Sequence, residues 1–396
     1  MTLTSNLLKS SVNIAKNCKY ATQAAAQTLS QPPPLLKQDP KITNLPNGKT
    51  IASIENYSPV SRITVLVKAG PRFENDDNLG ISHCLRNAAG LSTKNKTIFG
   101  ITRNIEYVGG RLTASADREH VIYSLDCLRD DLDKTVGFLT EVISNPAFKH
   151  WELKDFLPRM KVEVAKHLNN PETVLMESIH KAAFRGGLNN SLFCPEFKLG
   201  SHTTENGSVL FYLFLMLILL NQWFSILHEY VNSCFSSDRV TIVGTGIDHE
   251  QLLHYSQNFE VSDAKGSDIS PSKFFSGDVR VGMDTPLTYA AVLMEGVSAQ
   301  KPEEVLSLAL LQEILGNSSS ISYSAGSASR FSKISKKYDY NPQISSINFN
   351  YSDNGLFGIY VAAESKDVND ILKTTVGEVK NAIKTGPSEE ELRIAK

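Results

Sequence analysis

Apolar and polar residues alternate through RITVLVKAG (62–70), which predicts a strand, and the Asn-Gly pair in LPNGKT (45–50) predicts a turn just before it. NLGISHCLRNAAGL then has the spacing of a helix. RLTASADREHVIYSLDCL (111–128) reads as a hairpin, and residues 131–142 as a helix with Leu132, Val136, Leu139 and Val142 on one face. The same order of elements returns about 230 residues later. LTYAAVLMEGV (287–297) predicts a strand, and PEEVLSLALLQEILG a helix with Pro302 early and Gly316 at its end. ISSINFNYSDNGLFGIYV (344–361) predicts a hairpin turning on residues 352–355. A helix follows that would direct Val368, Ile371, Leu372, Val376, Val379 and Ile383 inward. This repeat of order, without repeat of residues, predicts an α+β fold of two duplicated domains, each a mainly antiparallel sheet covered by helices.

Between the repeats, NPETVLMESIHKAAF reads as a helix with Asn170 as N-cap and Pro171 at its first position, and RVTIVGTG (239–246) as the strand that closes the first domain. The expected domains are therefore 41–263 and 278–396, joined by a polar linker rich in Ser and Gly at 264–277. Near the end, GPSEEELRIAK opens a helix with a capping-box pair, Ser388 and Glu391, and the chain stops about two turns later. A helix so begun is expected to continue, which makes the second domain read as incomplete at its C-terminus.

Two stretches depart from this regular pattern. The first 38 residues lack Asp and Glu but carry Lys9, Lys16, Lys19 and Lys37, with Leu7, Leu8, Val12 and Ile14 among them. A short basic amphipathic helix of this kind suits a mitochondrial presequence, and Pro32, Pro33 and Pro34 suit a linker, so 1–40 is assigned to both; plain N-terminal disorder is the alternative. The other departure is GSVLFYLFLMLILLNQWFSI (207–226), uncharged and near the ~20 residues of a membrane span. A span there would put the two halves of one α+β domain on opposite sides of a bilayer. Deleting it joins Asn206 to Leu227 and places Leu227, Tyr230 and Val231 at i, i+3 and i+4 of a helix, followed by the expected strand. The segment is read as a translated intron or gene-model error, with a buried helical hairpin and a true span as the alternatives.

Composition narrows the function classes. With 40 basic and 42 acidic residues in 396, the chain has no charge excess of the kind that binds nucleic acid. Its five cysteines (Cys18, Cys84, Cys127, Cys194, Cys234) are scattered without a C-x-x-C pair, arguing against a disulfide framework and a cysteine-rich zinc site. There is no ligand pattern for haem or quinone, and the expected cofactor is none.

One stretch invites a metal reading. In GISHCLRNAAG, His83 would be the first residue of the inverted zinc-protease motif H-x-x-E-H, in which i and i+4 bind metal and i+3 activates water. Arg86 and Asn87 occupy those later positions. A guanidinium repels a dication and accepts no proton at ordinary pH, and Asn is a poor substitute for imidazole. Glu163 lies near the spacing of a third ligand but, with two partners replaced, is read as a solvated helix carboxylate. His83 is read as a helix-face histidine near the old cleft. No catalytic, metal or cofactor site is expected. Arg118, Glu119 and His120 are read as a solvated hairpin tip, His228 and Glu229 as helix surface, Gly244 to Asp248 as a strand-to-helix turn, and the serines of GNSSSISYSAGSAS as a flexible polar loop.

Several stretches together carry a family resemblance: LPNGKTIASIENYSPVSRITVLVKAGPRFEN, LGISHCLRNAAGLSTK, ITRNIEYVGGRL, IYSLDCLRDDLD, NSLFCPEFKLG and FNYSDNGLFGIY. The chain resembles the mitochondrial processing peptidase and pitrilysin family over about residues 41–396, outside 207–226. The stretch LGNSSSISYSAGSASRFSK lacks the glycine-dense loop of the processing-peptidase side and resembles the core-protein branch, whose members are subunits of ubiquinol-cytochrome c reductase (respiratory complex III). The resemblance implies a non-catalytic subunit paired with core protein 1 and other complex III subunits, peripheral on the matrix side of the mitochondrial inner membrane and needed for assembly and stability. Two readings stay open beside it: a processing-peptidase subunit assisting a catalytic partner, and an integral membrane protein anchored by 207–226.

Overall fold

The structure, a computed structural model, describes residues 38–199, 226–262, 266, 271–316 and 329–395. The expected presequence up to residue 37, the hydrophobic segment up to residue 225, much of the expected linker and the serine-rich loop at 317–328 lie outside the described residues.

The first sheet has six strands: β1 (Lys41–Asn44), β2 (Thr50–Ile54), β3 (Val60–Val67), β4 (Arg111–Ala116), β5 (Val121–Leu128) and β7 (Val240–Thr245), in the order β1-β2-β7-β3-β5-β4. Its pairings are antiparallel except β2 with β7. The predicted alternation is what builds its core face. Ile63, Val65 and Val67 of β3 point the same way as Val121, Tyr123 and Leu125 of β5, in the register Val65 to Tyr123 and Ile63 to Leu125, and all six are buried. Burial of each such side chain contributes about 1.5–3 kcal/mol. The Asn-Gly turn closes β1 on β2, with Gly48 at φ +90°, a value that favours glycine.

Helices cover that face: α1 (Ile81–Ala88), α2 (Ile98–Tyr107), α3 (Leu132–Ser144), α4 (His150–Asn169) and α6, spanning 226–234. Leu227, Tyr230 and Val231 are buried on one face of α6, and Tyr230 Oη donates to the carbonyl of Ala69 at 3.0 Å. Ile226, placed inside the anomalous segment by the sequence reading, is already helical and packs on the same core. Asp248 caps α7 (His249–Ser256) by accepting from the Glu250 amide, so residues 244–248 are a turn between strand and helix.

The second sheet runs β10 (Gln343–Asn350), β11 (Gly355–Ala363), β9 (Thr288–Glu295), all antiparallel. Every residue of β11 is buried because both faces are covered. Phe357, Ile359, Val361 and Ala363 meet α8 (Pro302–Leu315), α9 (Arg330–Ser335) and α10 (Val368–Thr385). Leu356, Tyr360 and Ala362 meet α5 (Pro171–Ala183). Strand, helices, hairpin and helix thus recur, as the element order predicts. α11 (Glu389–Ala395) is started by the capping box, Glu391 N–H donating to Ser388 Oγ at 3.2 Å and Ser388 N–H to Glu391 Oε2 at 2.9 Å.

One expectation here needs correction. Ile383 does not face inward; it is 67% exposed in the last turn of α10, where Ala382 beside it is the residue buried against the core. In the described part of the expected linker, β8 (Lys273–Phe274) pairs with β6 (Phe184–Arg185). Among the described residues no helix is long and apolar enough to cross a membrane.

Candidate functional site

The site is built where α1 crosses α4. Glu74 sets the start of α1: its carboxylate accepts from the amides of Gly80 (2.7 Å) and Ser82 (2.8 Å) and from Ser82 Oγ (2.6 Å), taking up amides that a helix N-terminus leaves without partners. Burial pushes the Glu74 pKa up, to about 7, against the pull of those hydrogen bonds. Gly80 sits at φ +84°, and a Cβ there would lie 2.5 Å from Cys194 Cα. That close approach brings the 190–199 segment down over the helix.

From this start, His83, Arg86 and Asn87 stand at i, i+3 and i+4 and share one face. All three converge on one atom of α4. Glu163 Oε2 accepts from His83 Nε2 (2.9 Å), Arg86 Nη2 (2.5 Å) and Asn87 Nδ2 (3.1 Å). Its other oxygen lies 3.4 Å from Arg159 Nε. The solvated carboxylate expected from the sequence is therefore the centre of the cluster, with its side chain 26% exposed. Burial alone would raise the Glu163 pKa, but the bonds from His83 and Asn87 and the charge of Arg86 outweigh it and hold the carboxyl below its ordinary value.

His83 is 1% exposed. Its tautomer follows from its partners: the Cys194 amide can only donate, and it donates to His83 Nδ1 at 3.2 Å, so the ring proton is on Nε2 and points at Glu163. Burial first, and then the charge of Arg86, keep the imidazole pKa below its usual value despite the Glu163 bond. Phe193 closes the ring in from the side, edge-on to His83 (centroids 5.6 Å) and stacked on His167 (4.2 Å). Nothing in the spacing of the sequence singles out Phe193, Cys194 or His167; they arrive through chain segments far from α1.

This donor set does not suit a divalent metal. Metal ligation at Nε2 needs a lone pair where the ring carries its proton, and moving the proton to Nδ1 would set it against the Cys194 N–H. The guanidinium of Arg86 already neutralises Glu163, which has no need of a second cation. Among the described residues no group of three or more His, Cys, Asp or Glu could hold a metal ion. Beside the cluster lies an open cavity of about 570 Å³, lined by Asn87, Ile101, Leu112, Phe156 and Arg159 among others.

Residues 50–196 match the family described as insulinase (peptidase family M16), and residues 225–396 match the peptidase M16 inactive domain. The chain is 34% identical over 388 residues to the human cytochrome b-c1 complex subunit 2, mitochondrial, an alignment covering 98% of this chain and 80% of the human protein. The chain belongs to the M16 peptidase family. The rat cytochrome b-c1 complex subunit 2 is 32% identical to this M16 chain, over 95% of it and 80% of the rat protein. A probable mitochondrial-processing peptidase subunit alpha-1 from Arabidopsis thaliana is 30% identical, over 90% of the chain and 69% of that protein.

The other sequence candidates are structural in this M16 chain. Within the tip at 117–120, Arg118 and Glu119 are buried and not solvated as expected, Arg118 Nη2 pairing with Glu177 Oε1 at 2.6 Å, while Asp117 is exposed. His228 lies edge-on to Phe148 at 5.1 Å. Cys84, Cys127, Cys194 and Cys234 are free and buried, and burial pushes each thiol up, away from reactivity.

Proposed function

We propose that this chain is a non-catalytic core subunit of the cytochrome b-c1 (ubiquinol-cytochrome c reductase) complex, needed for its assembly and stability. Its human and rat relatives, both cytochrome b-c1 complex subunit 2, support the reading. The observation that carries it is the engagement of Glu163 Oε2 by His83, Arg86 and Asn87: where the family's motif would put a base and two ligands, this chain puts an ion cluster. Its role is then mechanical. It pairs with core protein 1 and contacts other complex III subunits, lies peripherally on the matrix side of the mitochondrial inner membrane, and binds no haem or quinone. Residues 1–40 serve as presequence and linker, 41–263 and 278–396 as the two peptidase-like domains joined by 264–277, and 207–226 as a translated intron.

Depletion of the protein in cells tests this. Loss of assembled complex III on native gels, restored by the wild-type chain and equally by an Arg86→Ala variant that folds, is the expected result. A second reading, a processing-peptidase subunit that assists a catalytic partner, is favoured by the similarity to the Arabidopsis protein. Accumulation of uncleaved precursors with complex III intact would select it.

A further inference from the structure

The turns of the two hairpins, corresponding elements of the two repeats, meet. Residues 117–120 join β4 to β5, residues 351–354 join β10 to β11, and Arg72 lies between them. Arg72 Nη1 donates to Glu119 Oε1 (2.5 Å), Ser352 Oγ (3.0 Å) and Asp353 Oδ1 (2.8 Å), and Nη2 to Asp353 Oδ2 (2.5 Å). Glu119 in turn accepts from the Ser352 amide (3.0 Å) and hydroxyl (2.6 Å). Asp353 also accepts from the Ser272 amide at 2.6 Å. Both repeats dock the segment after their first strand on their own turn in the same way: Arg72 N–H on the Arg118 carbonyl (2.9 Å), Ala299 N–H on the Tyr351 carbonyl (2.8 Å). Arg72 and Glu119 are 6% and 9% exposed.

The rest of the junction mixes apolar packing with a few polar contacts. α4 packs with the first sheet and α5 with the second, and the chain passes from one to the other at Asn170, which is at once the C-cap of α4 and the N-cap of α5. α5 meets its sheet mainly through apolar side chains such as Ile179 and Ala183, with His180 Nε2 2.7 Å from Tyr351 Oη and Tyr360 Oη donating to Glu172 Oε1 at 2.8 Å, while Glu177 of α5 takes Arg118 of the first turn. Apolar contact is non-directional and gives little control of angle. A buried arginine held bidentate by one carboxylate and capped by another accepts a single geometry. Such ion networks add little net stability over apolar packing, so their effect lies in specifying one arrangement.

We propose that Arg72, Glu119 and Asp353 form a latch that holds the two sheets at one angle about the Asn170 joint, so that both halves move as one body. The Ser352 amide reports on it directly, because it cannot exchange while bonded to Glu119. Hydrogen exchange of the full chain, compared with Arg72→Leu, should speed at 117–120 and 351–354 by at least about tenfold and stay unchanged at core amides such as Val65, Tyr123 and Ile359. Asp353→Asn, which leaves the Arg72–Glu119 pair, should give a smaller rise confined to the same turns. No change at the turns in either variant overturns the proposal. So does an equal rise at the core amides, or failure of both variants to fold, because a latch between formed halves is not needed to form them.

Discussion

Arg86 and Glu163 lie 77 residues apart in sequence and share a hydrogen bond of 2.5 Å on the face of α1 where an M16 peptidase motif would place its base. The arginine supplies the positive charge that the carboxylate requires, and His83 and Asn87 donate to the same oxygen, Oε2. A peptidase scaffold has there been given a structural cross-tie between two helices.

Restoring the motif letters should not restore the chemistry. In the double variant Arg86→Glu, Asn87→His the Cys194 amide still donates to His83 Nδ1 and still keeps the proton on Nε2. The expected result is no zinc-dependent cleavage of a presequence peptide by this chain alone, read by mass spectrometry of the products. Zinc-dependent turnover would refute the tautomer argument.

Removing the tie should cost stability. Glu163→Ala leaves Arg86 without its carboxylate and the buried His83 Nε2–H without an acceptor, which costs about 1–3 kcal/mol and should show as a lower urea midpoint with an unchanged slope. The pH dependence has a defined sign. Glu163 is held below its unfolded pKa, so its contribution is present above that value and is lost as pH falls through the folded one. His83 is also held below its unfolded pKa of about 6.5, and buried neutral, so it too loses stability as acid protonates the unfolded chain first. Glu163→Ala should therefore remove the Glu163 part of the acid limb, below its ordinary value of 4.5, and deepen the His83 part, because Glu163 holds that imidazole up.

Glu74 should behave in the opposite sense. Its pKa rises on folding from an ordinary carboxylate value to about 7, so the native state holds a proton that the unfolded state has released. Its contribution to stability is fully present below the unfolded pKa and falls as pH rises toward 7. Wild type minus Glu74→Gln should show this decline between about pH 4.5 and 7 in urea midpoints; a flat difference would contradict it.

The strands and helices of both repeats were legible because period-2 and period-3.6 patterns are local, as were the Asn170 and Ser388 caps. What was not legible depends on contacts between distant segments. Glu163 reads as a surface residue of a long helix until α1 is laid across it, and Arg118 and Glu119 read as a wet hairpin tip until Glu177 and Ser352 arrive. Ile383 failed for another reason: the apolar period runs on along α10, but the buried position of the last turns is taken by Ala382, which leaves Ile383 facing out. The departure of 86 and 87 from the zinc motif was plain in the sequence, whereas the tautomer lock by Cys194 was not.

Gly80 is the position where sequence and site are most tightly joined. Gly80→Ala puts a methyl 2.5 Å from Cys194 Cα at φ +84°, and should cost about 2–4 kcal/mol while pushing the 190–199 segment off His83. Thermal unfolding and the His83 ring resonances by NMR would report both effects; an unperturbed ring would mean that the segment is held by other contacts.

Native gel separation of detergent-solubilised mitochondria, with mass-spectrometric mapping of this chain's peptides in every band, tests the central claim most directly. Co-migration with the cytochrome b-c1 subunits, at matched stoichiometry, is the predicted result. Migration in a small peptidase dimer free of those subunits would contradict it.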